Sequence, residues 1–188
     1  MNKQLAFLDL KVDDHKETKR VTIELASEAL PHTCRNFVSL CSSSGGSQDE
    51  VEGTLSYQNT KVFKIEPKVG ICMGDVTGGN DGLQGSCHPS TVTSKEAQGN
   101  PHTFEHESTV LSHCSKGMVS MLSTGMDKND SRFMITTVDD APHLDGKYVA
   151  FGRVQEGLDV LEDLVKGVYT KKGRPTVDIE VVNCGVVS

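Results

Sequence analysis

The sequence predicts a mainly β chain closed into a barrel and capped by helices, and three observations carry that reading. Short apolar or alternating runs recur along the chain, broken by turns rich in Gly, Asp and Ser, as barrel strands require. Only two stretches have helical periodicity. The 188 residues are 36% hydrophobic and 24% charged, a balance in which burial can offset chain entropy. A single domain over residues 1–188 buries roughly 70% of the surface its unfolded chain would expose.

The elements follow in order. Residues 5–12 alternate, a polar turn follows at 13–17, and Val21-Thr22-Ile23-Glu24-Leu25 completes a hairpin signal. Residues 31–41 place Cys34, Phe37, Val38 and Cys41 at helical spacing, with Pro31 suited to a first helical turn. This amphipathic helix is expected to cover one barrel end. Residues 42–53 are Ser- and Gly-rich and acidic, an exposed loop in which the role of the acidic stretch 48–52 stays open. Strands are expected at 61–65 and 70–73. The irregular segment from Asp75 to about Pro101 is too long for an ordinary connection, so it is either a functional loop or an unrecognised element. Strands at 117–122, 132–136 and 148–154, a helix at 158–165 and a last strand at 177–182 complete the chain.

The charge balance narrows the partners. A net charge of −7 opposes a nucleic-acid footprint, and the short basic group Lys171, Lys172, Arg174 reads as a solvated turn. The first residues hold no apolar run long enough for a signal peptide or membrane span, so no membrane partner is expected. The expected location is cytoplasmic, with the nucleus left open. Six cysteines lie far apart with no CxxC pair, which points to reduced thiols rather than a disulfide framework.

Other constellations carry less. His102, His106 and His113 lie near Cys87, His88 and Cys114, but their spacing is irregular. Scattered surface imidazoles and buried thiols are the reading, with no metal and no cofactor. The run from Asp127 begins like a calcium loop, yet Arg132 stands where its glycine belongs and Val138 where its glutamate belongs. The glycines of Gly78-Gly79-Asn80-Asp81-Gly82 lack a following GK[ST] and read as a flexible turn. Cys72, with no histidine beside it in sequence, reads as a packing thiol.

Several motifs in order carry a family resemblance. Leu144-Asp145-Gly146-Lys147-Tyr148-Val149-Ala150-Phe151-Gly152-Arg153-Val154 resembles the LDGKHVVFGKV signature of cyclophilins. Phe104-Glu105-His106-Glu107 resembles FEDE, Lys116-Gly117-Met118-Val119-Ser120-Met121 resembles PGILSM, and Asn129-Asp130-Ser131-Arg132-Phe133-Met134-Ile135-Thr136 is similar to NGSQFFIC. Residues 31–40 resemble PKTAENFRAL, while Phe63-Lys64-Ile65-Glu66-Pro67 and Met73-Gly74-Asp75 are similar to HRIIP and GGD. The resemblance implies an eight-stranded antiparallel β-barrel capped by two α-helices, and peptidyl-prolyl cis-trans isomerase activity on proline-containing segments.

That chemistry sets requirements. Rotation about an X-Pro amide breaks its resonance against a barrier of roughly 18–20 kcal/mol. The twisted state places a lone pair on the proline nitrogen, and a rigid cationic donor aimed at it binds that state better than either planar form. Family members supply an arginine donor and a pocket of large apolar side chains. Here the resemblance puts Lys64 at the donor arginine, with charge but no planar fork. Val69 and Gly70 stand at a pocket phenylalanine and methionine, Cys72 and Arg132 at two glutamines, and Leu122 and Ser123 at an alanine and asparagine. Met134 replaces the second phenylalanine, His143 the tryptophan and Tyr148 the histidine, while Leu144 is unchanged.

The resemblance therefore implies peptide binding with weak or lost isomerase activity, with a competent divergent foldase as the alternative. Poor binding of cyclosporin-type ligands is expected for the same reason. Arg132 beside Lys64 suggests either a relocated guanidinium donor or a taste for acidic groups beside proline. A larger protein assembly is a further expected partner, and the oligomeric state stays open.

Overall fold

The computed structural model describes residues 3–13, 17–42, 55–94, 96, 99 and 101–187. The expected loop at 42–53, with its acidic stretch 48–52, lies outside the described residues apart from Ser42.

The described residues form two α-helices and eleven strands: β1 (Gln4–Val12), β2 (Thr18–Leu25), α1 (Pro31–Ser42), β3 (Lys64–Glu66), β4 (Gly70–Met73), β5 (Phe104–Glu105), β6 (Met118–Gly125), β7 (Lys128–Thr136), β8 (Ala150–Glu156), α2 (Leu158–Gly167), β9 (Thr170–Lys171), β10 (Arg174–Pro175) and β11 (Ile179–Val187). Eight strands run in the order β11-β1-β2-β8-β6-β7-β4-β3, every neighbour antiparallel, with β5 paired to β7 off this path. The two ends of that order meet just before β3. Lys61 bridges Glu180, the Val62 N–H donates to the Ile179 carbonyl at 2.8 Å, and the Val181 N–H donates to Thr60 at 2.9 Å. The sheet thus curls into the predicted eight-stranded barrel, which leaves few open edges to pair with other chains.

The interior explains the curl. Phe37 from α1 packs on Tyr57, Phe133 and Phe151 with ring centroids 5.1–5.2 Å apart, a cluster that plugs one end of the barrel. The Tyr57 hydroxyl donates to the Ser131 carbonyl at 2.7 Å, so its polar end is satisfied inside the core. The first turn of α1 is capped from a distance: the Glu107 carboxylate accepts from the N–H groups of His32 and Thr33 at 2.9 and 2.8 Å. That bond is the structural use of the Phe-Glu-His-Glu motif.

Several boundaries differ from the sequence expectation, each for a physical reason. Strand β7 starts at Lys128, inside the run that begins like a calcium loop. Met126 and Asp127 both have positive φ, 50° and 54°, so they form a two-residue primed turn and let β6 continue straight into β7. Strand β3 is short, and only Lys61 in the preceding residues makes a bridge. The hairpin β9–β10 has no sequence signal of its own, since strands of two residues have no readable period.

The irregular segment after Asp75 holds a 3-10 turn at Pro89–Thr91 and otherwise no helix of three residues or more, and no strand before β5, among its described residues. The Gly78–Gly82 stretch departs from a flexible turn. Asp75, fully buried, accepts from the N–H groups of Thr77, Asp81 and Gly82, which wraps the stretch around one carboxylate.

No helix among the described residues is long and apolar enough to cross a membrane. All six cysteines are free thiols.

Candidate functional site

A second apolar cluster forms apart from the main core. Phe63, Cys72, Met134, Ala141 and Leu144 are buried in it, with Val69, Leu122, Val138 and Tyr148 half-buried against them. Register explains the convergence. Lys64 lies opposite Cys72, Cys72 opposite Met134, and Met134 opposite Ser120, so one row of side chains crosses β3, β4, β7 and β6 on a single face. Of the residues expected at a peptide groove, Val69, Cys72, Leu122, Met134, Leu144 and Tyr148 share this patch.

Others stand apart. Gly70 pairs with Thr136, and at its φ of 152° an added Cβ would overlap the Ile135 carbonyl oxygen, so no side chain fits there. The Ser123 hydroxyl accepts from the Gly125 N–H at 3.1 Å and is turned into the end of the β6–β7 hairpin. His143 is exposed on the 3-10 turn Pro142–Leu144, outside the apolar cluster.

The two cations each have a carboxylate. Lys64 is half exposed with Nζ 2.6 Å from Glu66 Oε2, and that bond, with Cys72 and Tyr148 also acting on it, holds its ammonium above the usual lysine range. Arg132 is 14% exposed and clasped more fully. Its Nε lies 3.2 and 3.0 Å from the two Asp130 carboxylate oxygens, and its Nη1 donates to the Gly82 carbonyl at 2.6 Å. Each of the two cations expected in one groove is thus paired with a carboxylate of its own. Residues i and i+2 share a strand face, so the Asp130–Arg132 neighbourhood was readable once this segment is taken as strand rather than loop.

Gly82 links these groups to the patch, for the Phe63 ring packs directly on it. Arg132 and Asp130 also line a cavity of 1190 Å³, together with Leu55, Ser86, Val92, His102 and Met126 among others. The Arg132–Asp130 pair thus belongs to the lining of this hollow. Burial pushes the Cys72 thiol up to about 11, as a packing thiol requires and a nucleophile does not.

The expected scatter of surface imidazoles fails at His113, whose sequence neighbours gave no signal. It is 1% exposed. Its Nδ1 lies 2.8 Å from Asp145 Oδ1 and its Nε2 3.0 Å from the Ser120 hydroxyl, while its backbone N–H also donates to Asp145 at 2.8 Å. The three side chains have the order of a nucleophilic triad, but Ser120 is 0% exposed and no substrate reaches it. The arrangement instead clamps residues 141–148, the turn that presents Leu144 and Tyr148, onto β6. His88 and His102 are likewise engaged, with Ser90 and Ser86. Among the described residues no group of three or more His, Cys, Asp or Glu is placed to hold a metal ion.

Comparison with known proteins agrees with this architecture. A family model described as cyclophilin type peptidyl-prolyl cis-trans isomerase/CLD matches residues 7–186. The chain is 32% identical over 179 residues to peptidyl-prolyl cis-trans isomerase 9 of Caenorhabditis briggsae and to the protein of that name in Caenorhabditis elegans, covering 95% of this chain and 53% of each relative. It is 31% identical over 169 residues to the NK-tumor recognition protein of Homo sapiens, covering 90% of this chain and 11% of that protein. The chain spans about half the length of the worm relatives and about a tenth of the human one. With the match running almost end to end and the barrel closed as described, the chain belongs to the cyclophilin-type peptidyl-prolyl cis-trans isomerase family.

Proposed function

We propose that the chain recognises proline-containing polypeptide segments on the apolar patch, with isomerase activity much reduced, and acts in this way as a recognition module in a larger assembly. One observation carries the reading: the patch keeps its apolar side chains together while Arg132 is turned onto Asp130. A prolyl ring needs apolar surface to dock, which Met134, Leu144, Leu122 and Tyr148 supply. Rotation needs more, a preorganised donor at the amide nitrogen. Lys64 offers a single flexible ammonium already shared with Glu66.

A second reading has its own support. Lys64 lies electrostatically close to both Cys72 and Tyr148, so a cation does stand beside the patch. On that reading the chain is a competent foldase with an unusual substrate.

The test pairs two measurements on one set of X-Pro peptides. Shifts of backbone amide resonances at Leu144 and Tyr148 report docking, and exchange spectroscopy reports the isomerisation rate. Docking with little acceleration supports the recognition module. Strong acceleration for any peptide of the set supports the foldase, and no resonance shift at all contradicts both.

A further inference from the structure

The positive charges around the patch are unevenly compensated. Lys61, Lys64 and Arg132 each have a carboxylate oxygen within 2.6–2.7 Å. The β9–β10 hairpin is different. Lys171, Lys172 and Arg174 are all exposed on it, and among the described residues none of the three forms an ion pair. Lys172 sits at the tip with φ of 53°, a left-handed turn that throws consecutive side chains outward.

The hairpin is fixed to the patch. The Ile65 N–H donates to the Gly173 carbonyl at 2.7 Å, and Arg174 Nη2 donates to the Asp81 carbonyl at 3.3 Å. A Cβ placed on Gly173 would lie 3.5 Å from Cγ and Cε of Lys64, so the hairpin rests against the stem of that side chain. Lys64 in turn lies opposite Cys72, which is buried in the apolar cluster that Tyr148 packs against. A path across the surface therefore runs from apolar side chains, over Lys64, to three cations within four positions that form no ion pair among the described residues.

In a chain of net charge −7 such a local excess is not background. It attracts anionic groups and orients them before contact. The overall negative charge works against nucleic acid, whose phosphates would meet repulsion beyond the hairpin. An acidic stretch of polypeptide needs only a few contacts and places its apolar part elsewhere.

We infer that the β9–β10 hairpin and the apolar patch form one two-part docking surface, for a polypeptide segment that carries proline at one end and a run of anionic side chains at the other. The inference rests on the proline-peptide reading and adds its partner class. Both carboxylates and phosphoryl groups suit Lys and Arg, the latter making stronger charge-assisted bonds.

The experiment uses the full chain and four peptides of one length: a proline peptide with four Glu, its Gln analogue, its phosphoserine analogue, and the Glu peptide with proline replaced by alanine. The variant Lys171→Ala/Lys172→Asn/Arg174→Gln removes the hairpin charge, and Lys172→Glu alone gives a second test with less change. The Glu peptide is expected to bind at least tenfold more tightly than the Gln peptide at low salt. The triple variant should abolish that preference while leaving Gln-peptide affinity unchanged, and Lys172→Glu should reduce it. A phosphoserine peptide binding more tightly than the Glu peptide assigns the anion as phosphoryl, and the reverse assigns it as carboxylate.

Equal affinity for Glu and Gln peptides, or a preference that survives in both variants, overturns the inference. So does single-stranded RNA that competes as well as the Glu peptide. Failure of the underlying reading looks different. In that case the Gln peptide leaves the Leu144 and Tyr148 resonances unmoved, and the alanine peptide binds as well as its proline counterpart.

Discussion

The guanidinium of Arg132 is held by the carboxylate of Asp130, two residues earlier on the same strand, with Nη2 2.7 Å from Oδ2. The Asp130 side chain is 2% exposed, so this pair is desolvated and each partner depends on the other. Arg132→Ala leaves a buried carboxylate without its cation and is expected to cost roughly 3–5 kcal/mol. Asp130→Ala/Arg132→Ala removes both charges and should recover part of that loss. Urea unfolding of the two variants checks the order. A double variant less stable than Arg132→Ala would show that Asp130 is held by other groups.

The clamp at His113 makes a second prediction. Residues 141–148 reach β6 through Asp145, so His113→Ala should speed hydrogen exchange at Leu144 and Tyr148. It should also weaken proline-peptide binding without a direct contact. Unchanged exchange there would remove the clamp from the account.

Acid should act on the same clamp. The backbone N–H of His113 holds the Asp145 carboxyl below its ordinary value of 3.8, with the imidazole bond adding to it. A carboxyl whose pKa is depressed on folding contributes stability that is present above its unfolded value and lost as pH falls through the folded one. The stability difference between the native chain and Asp145→Asn should therefore stay constant from neutral pH to about pH 5 and shrink below about pH 4. Melting curves across this range test it. A difference that grows on acidification would contradict the sign.

At Gly70 the backbone, not the side chain, is the constraint. An added Cβ meets the carbonyl of Ile135 on the neighbouring strand, so Gly70→Met cannot rebuild a prolyl pocket. It is expected to force β4 off β7 at a cost of roughly 3 kcal/mol or more, an upper-range loss for a single substitution. For a chain of this size that lowers Tm by roughly 6–12 °C. A Gly70→Met variant with an unchanged melt would show that the strand relaxes freely.

Much of the barrel was legible because its strands alternate and its signature turns keep their wording. Residues 5–12 and α1 read correctly since a period of 2 and a period of 3.6 are both sustained there. Cys72, Met134 and Leu122 were legible through the strands they sit on. What escaped was chemistry between distant residues. Nothing near Ser112 or Cys114 signals that His113 bonds Asp145, and nothing near Pro31 signals that Glu107 caps α1. The first half of β7 escaped because two non-glycine residues form its positive-φ turn, where sequence reading expects Asn-Gly.

On the function proposed here, this barrel keeps the means to hold a proline segment but lacks a rigid donor for the twisted amide. Replacing Lys64 by Arg should raise kcat/KM by at least tenfold, since a planar fork replaces a mobile ammonium. The most direct test is kcat/KM of the native chain across X-Pro peptides with varied residues before proline, set beside a cyclophilin that has arginine at this position. The expected value is at least about a hundredfold lower for every peptide, the scale of losing one preorganised donor. A value within tenfold of that cyclophilin for any peptide would contradict it.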